Sequence, residues 1–205
     1  VVYIRIVIAE SAISLAPRVW LSNKKIRHYY DKYHRMPLVD GSLHQHLLAD
    51  IPLEQRNDRP DILHFGLLTV LGYASLLPDL NLNFSTSGGD WYHVDSATNL
   101  PRSQNRFYGI VEQLLANTYK GSFISKTVKP DLNSSTVIFS SEGSPLQSQD
   151  LKAENFVFGG FAHGDYQNMD LVASPKVRLY PHPLDLWTAL SLFINKYLEL
   201  HDYKT

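Results

Sequence analysis

Phe156-Val157-Phe158-Gly159-Gly160-Phe161-Ala162-His163-Gly164-Asp165 is the stretch that decides how this chain folds. Three apolar residues that run into glycine have the pattern of a buried parallel strand feeding a ligand loop. Three glycines within six residues then let a ligand come close to backbone N–H groups. The loop lacks the Gly-Lys-Ser/Thr of a phosphate loop and the spacing of the dinucleotide fingerprint. A tight structural turn would carry the same glycines, so the loop is a candidate cofactor site only in company.

That company lies upstream. Val137-Ile138-Phe139-Ser140-Ser141 is a second apolar run that ends in serine, and the chain opens with Val1-Val2-Tyr3-Ile4-Arg5-Ile6-Val7-Ile8, a third buried strand. Between these runs the apolar spacing predicts helices. One starts at Pro60, carries Ile62, Leu63, Leu67, Val70 and Leu71, and is closed by Pro78. Another carries Phe107, Ile110, Val111, Leu114 and Leu115 and ends near Gly121. A further helix is expected near residues 15–22, and a last one over about 184–200 with Trp187, Leu190, Ile194 and Tyr197 on one stripe. Residues 80–86 and 91–94 flank Ser87-Gly88-Gly89-Asp90, a hairpin turn whose glycines supply positive φ. Strands alternating with helices indicate an α/β sheet. Residues 23–58, polar and rich in aromatics and histidine, read as an insertion in one domain spanning 1–205.

The composition narrows the function. The sequence has 205 residues and a net charge of −1, which argues against a generic nucleic-acid binder. The average conceals an asymmetry: residues 99–130 hold five basic residues and one acid, whereas residues 131–205 hold five basic and nine acidic ones. A local basic face can hold a specific RNA site, and a solvated helix surface gives the same count. With no cysteine, disulfides and thiolate chemistry are excluded. No apolar run is long enough for a membrane span, and the opening strand does not read as a signal peptide, so a cytoplasmic protein without membrane contact is expected.

Two polar motifs could carry chemistry. In Arg59-Pro60-Asp61-Ile62-Leu63-His64 a carboxylate at a helix start can hold an adjacent guanidinium in a fixed fork. Helix capping with a surface ion pair is the plainer alternative. Leu100-Pro101-Arg102-Ser103-Gln104-Asn105-Arg106 places two arginines four apart, on one face if the helix has begun, which suits successive phosphates. His44 and His46 lack a third ligand at a convincing spacing, so a polar loop is preferred to a metal site.

In this order, the RPDI-x-H start, hairpin, L-P-R-x-x-x-R-F-x-G, strand, GGFAHGD and proline-rich turn resemble the ribosome-biogenesis methyltransferases of the SPOUT superfamily, which modify N1 of a pseudouridine in small-subunit rRNA. The compact archaeal-type members are the nearest in layout. The resemblance covers roughly residues 59–197. It implies an α/β SPOUT-type sheet with a family-specific hairpin extension, a C-terminal trefoil knot over about 135–205, a homodimer, and S-adenosyl-L-methionine as cofactor with no metal. By motif position, Gly159, Gly164, Asp165 and Tyr166 would contact the cofactor, together with Leu179, Tyr180, Pro181, His182, Pro183 and Leu184. The loop at Ser140 would close the site. Arg59 resembles the arginine that engages the target nucleotide and Asp61 the acid that steadies it, as a general base or as the clamp on Arg59. Arg102 and Arg106 resemble the RNA grippers, while Asn99 stands where the family often has a further arginine. A non-catalytic rRNA-binding assembly factor, or a related knotted methyltransferase acting on tRNA, would share much of this pattern.

Overall fold

The computed structural model describes residues 3–77, 79–132, 135–168, 171 and 174–201. Its frame is a seven-stranded sheet in the order β4-β3-β2-β1-β6-β5-β7. The strands are β1 (Ile4–Ser11), β2 (Leu80–Thr86), β3 (Trp91–Val94), β4 (Ile124–Thr127), β5 (Thr136–Pro145), β6 (Asn155–Gly159) and β7 (Lys176–Arg178). Around them lie α1 (Lys24–Tyr33), the single turn α2 (Gly41–His44), α3 (Pro60–Gly72), α4 (Gln104–Leu115) and α5 (Leu186–Leu200).

β1 is central, parallel to β2 on one side and to β6 on the other. Its side chains alternate between two buried faces: Ile4, Ile6 and Ile8 join the main core, and Val7 and Ala9 a smaller cluster with Trp91, Ile138 and Val157. Burial on both faces is why this strand reads as an apolar run broken only at Arg5 from Ile4 to Ala9. Over β5 and β6, α5 lays Phe193 and Tyr197 onto an aromatic stack in which Phe139 and Phe158 lie 4.3 Å apart and Phe156 and Phe193 4.5 Å apart. Burying each such ring contributes about 1.5–3 kcal/mol. Helices α3 and α5 meet at Gly66, where a Cβ would fall 2.7 Å from Leu186 Cδ2.

The insertion is more ordered than its composition suggests. The Asn23 side chain caps α1 by accepting the N–H groups of Lys25 and Ile26 at 3.0 and 3.4 Å. Ile26 joins Ala16, Met36, Val39 and Leu48 in a third apolar cluster. A buried carboxylate fastens the unit to α4. Glu112 accepts from Tyr29 Oη at 2.6 Å, Arg35 Nε at 3.0 Å and the Leu38 N–H at 3.0 Å.

Several boundaries differ from expectation. Val1, Val2 and Pro78 lie outside the described residues, and β1 runs three residues past Ile8. In place of a helix near residues 15–22 there is only a 3-10 turn, Arg18–Ser22, because Leu15 is extended and bridged to Leu38. α4 stops at Leu115, before the left-handed Asn117 at φ 54°, so it does not reach Gly121. α5 starts at Leu186, since Asp185 is still extended at ψ 145°. In the hairpin turn Gly89, at φ 89°, is the glycine with positive φ. Strands β4 and β7 have no counterpart in the sequence reading.

Candidate active site

Strands β1, β6 and β5 end on the same edge of the sheet. Partners leave β1 in both directions, and a crevice is expected where strand order diverges in this way. Two clefts meet there. The first, about 240 Å³, lies between Phe139 and Ser140 of β5, Phe158 and Gly159 of β6, and the segment that follows β7. Gly164, Asp165, Tyr166, Leu179, Tyr180, His182, Pro183 and Leu184 also line it, as does Arg59. Of the residues singled out for the cofactor, exposed Pro181 alone stays out of the lining.

This cleft carries unspent hydrogen-bonding capacity. Among the described residues, no backbone N–H or C=O from 180 to 184 is bonded to another backbone group. Those groups, the N–H groups of Tyr180, His182 and Leu184 among them, share the cleft with the apolar side chains of Val177, Leu179, Leu184 and Phe158. A nucleoside presents the complement, an apolar ring face with polar edges. Gly164, at φ 83°, shapes the turn. At Gly159 a Cβ would fall 2.5 Å from the Phe161 ring, so glycine allows that ring to fold against the strand end.

The loop is held by side chains whose roles the sequence did not disclose. Glu10, at the end of β1, is buried and left-handed at φ 53°. A non-glycine residue in that conformation is strained, and its surroundings must hold it there. Its N–H donates to Ser85 Oγ at 2.9 Å, and its two carboxylate oxygens accept the N–H groups of Gln167 and Asn168, each at 2.7 Å. Lys176 donates to Asp165 Oδ2 at 2.5 Å, while Asp165 Oδ1 accepts the Tyr166 N–H at 2.8 Å. The Tyr166 hydroxyl points inward and donates to the Phe139 carbonyl at 2.9 Å, and burial pushes it well above the usual phenol range. Tyr166 therefore offers the cleft its ring, its hydroxyl being occupied elsewhere.

The second cleft, about 530 Å³, is polar and includes Glu10, Arg56, Asn57, Asp58, Ser87, His163 and Gln167. Arg59, Phe161, Ala162 and Asp165 line both clefts. Arg59 at this junction is held in a fork: its Nε donates to Asp61 Oδ1 at 2.9 Å and its Nη2 to Oδ2 at 2.8 Å. That pairing pushes the guanidinium further above its ordinary range. Asp61, by contrast, lines neither cleft.

The two arginines of the basic segment are exposed. Arg102 precedes α4, which begins at Gln104, so it and Arg106 do not share a helical face as the spacing suggested. The segment is nonetheless joined to the Arg59 helix, because His64 bonds to Pro101. Among the described residues, no group of three His, Asp or Glu side chains could hold a metal, and no helix is long and apolar enough to cross a membrane.

Known proteins share this fold. The crystal structure of Archaeoglobus fulgidus Nep1 bound to S-adenosylhomocysteine superposes with a TM-score of 0.84 over 98% of this chain and 99% of its own, at 22% identity. In sequence, the chain is similar to the ribosomal RNA small subunit methyltransferase Nep1 of Thermococcus kodakarensis, at 30% identity over 92% of this chain and 94% of that protein. The protein of the same name from Thermococcus onnurineus is 26% identical over 93% of this chain and 96% of its own. The profile of one family, EMG1/NEP1 methyltransferase, matches residues 6–198. With residues 6–198 matched by that profile, the chain belongs to the EMG1/NEP1 methyltransferase family.

Proposed function

We propose that this protein methylates N1 of a pseudouridine in small-subunit rRNA, with S-adenosyl-L-methionine bound in the first cleft and the target nucleotide entering through the second. The observation that carries the reading is the meeting of a slot with free backbone groups and a polar cleft at one forked arginine. Gly159, the 161–166 loop and residues 179–184 would hold the nucleoside part, with Ser140 at the mouth. When bound, the cofactor supplies an electrophilic methyl group. The chain's own contribution is placement, since holding two reactants in line is worth several kcal/mol of barrier. Arg59 would steady the target nucleotide, and the Asp61 fork fixes the direction in which that guanidinium points. Arg102 and Arg106 would grip the RNA backbone. Only in pseudouridine is pyrimidine N1 free of the sugar, which makes it the nitrogen on offer.

The same reading takes the chain as one SPOUT domain over 1–205 with a C-terminal trefoil knot. The bulged path of β5 supports the knot: Val177 of β7 pairs with both Phe139 and Ser144, and a Cβ on Gly143 would lie 2.5 Å from the Val177 backbone. A homodimer is supported by apolar side chains left open on α3 and α5, where Phe65 packs edge-on against Trp187 at 5.3 Å and Leu192 is exposed. The test offers the purified protein labelled S-adenosylmethionine and two hairpin RNAs that differ only in uridine or pseudouridine. Label in the pseudouridine RNA alone is expected. Label in both or in neither would overturn the substrate, and RNA binding without transfer would point to an assembly factor.

A further inference from the structure

A ring nitrogen that carries a proton becomes a full nucleophile only as the proton leaves. We propose that the carboxylate of Asp58 accepts this proton, an assignment that rests on the substrate reading given above. Three carboxylates line the polar cleft: Glu10, Asp58 and Asp165. Both oxygens of Glu10 are occupied by the N–H groups of Gln167 and Asn168. Asp165 is held by Lys176 on one oxygen and the Tyr166 N–H on the other. Asp61 spends both oxygens on Arg59 and lies outside both clefts. The Asp58 side chain makes no hydrogen bond or ion pair among the described residues.

Its backbone, however, is fixed from two sides. Asp58 bridges to Ile13 beyond β1, and its carbonyl accepts the Gly41 N–H at 2.8 Å. A Cβ on residue 41 would fall 2.7 Å from Asp58 Oδ2, so the glycine leaves room for the carboxylate. A carboxylate on a fixed stretch of backbone, with unspent lone pairs, can serve as a general base. The charged groups around it are Arg56 and Arg59 on its own segment, Glu10 from β1, and His163 and Asp165 from the glycine loop. Arg59, the next residue, lines both clefts and would offset negative charge that develops on the pyrimidine.

In the step, the N1–H bond breaks and its proton passes to Asp58. The electron pair left on N1 forms the bond to the methyl carbon. The carbon–sulfur bond breaks as that bond forms, and its pair stays on sulfur. A positive sulfonium and a negative carboxylate both end neutral, and the proton on Asp58 returns to water.

Single-turnover transfer to the pseudouridine hairpin, measured across a pH range for wild type, Asp58→Asn and Asp58→Glu, tests the assignment. Affinities for the RNA and for S-adenosylmethionine are titrated separately and also report folding. Asp58→Asn should slow transfer by about 100-fold or more at neutral pH, with both affinities unchanged. The defect should shrink as pH rises, because hydroxide then removes the N1 proton unaided, and Asp58→Glu should regain part of the rate. An asparagine variant with wild-type rate, with a loss equal at every pH, or with RNA affinity falling in step would overturn Asp58 while leaving the substrate intact. A wild-type protein inactive on the hairpin would overturn both.

Discussion

His64 Nε2 lies 2.7 Å from the carbonyl oxygen of Pro101, joining the helix that carries Arg59 to the segment that carries Arg102 and Arg106. A carbonyl only accepts, so Nε2 holds the proton. The ring is buried and stacked on Phe107 at 4.3 Å. The two basic motifs, separate in sequence, are thus one mechanical unit.

Burial lowers the His64 pKa, so the folded ring resists a proton that the unfolded chain accepts below about pH 6.5. The unfolded state then binds more protons, and stability falls as pH drops through this range. Melting temperatures from about pH 8 down to about pH 5 should fall for wild type and fall less for His64→Phe. Parallel curves would show that His64 does not contribute. At neutral pH the variant should lose about 1–3 kcal/mol from the unpaired carbonyl and bind RNA more weakly.

The Arg59–Asp61 fork predicts coupled losses. Asp61→Asn and Arg59→Ala should each lower RNA affinity and transfer rate together, and the double variant should be little worse than either single one. Strict additivity, or an Asp61→Asn protein with intact affinity and collapsed rate, would return Asp61 to the role of base.

Gly164 is held at φ 83° with open space around its Cα. Alanine there should cost about 1 kcal/mol of backbone strain without a clash, and Gly164→Val should weaken S-adenosylmethionine binding in a folded protein. Calorimetry on the valine variant decides it, unchanged affinity being the contrary result.

Arg102 and Arg106 should act on phosphates independently, since they do not share a helical face. Each alanine variant should reduce the slope of log affinity against log salt by about 0.7 to 0.9. Slopes equal to wild type would leave both side chains facing solvent only.

Glu112 binds three donors from the insertion while itself nearly buried. Glu112→Ala should destabilise the protein by about 3–5 kcal/mol, because Arg35 loses its partner. Denaturant titration measures the loss, and a change below about 1 kcal/mol would show that the insertion is fastened by its apolar cluster instead.

The buried strands were legible as apolar runs and the long helices by their regular apolar period, and the glycine loop because few residues but glycine tolerate its geometry. The arginine fork was legible for a similar reason, its two residues being neighbours on one helix start. Other parts left weaker traces. In α1 only Ile26 is buried, so the helix lacks an apolar stripe. β4 buries only Ile124, and β7 is three residues long. Glu10 follows an apolar run with no mark of its left-handed backbone, and the value of Asp58 lies in partners it does not have. Such features arise from tertiary placement, which no local pattern encodes.

The placement of β1 also governs when the fold can assemble. Ile6 pairs with Leu82 on one side and Phe156 on the other, so β1 must wait for two partners that are made well after it. Long closures of this kind, made between parallel strands, are slow and leave apolar edges open meanwhile. During synthesis the strand from Ile4 to Ser11 stays half-paired until β6 has left the ribosome, and this interval is when a chaperone would have the most surface to hold.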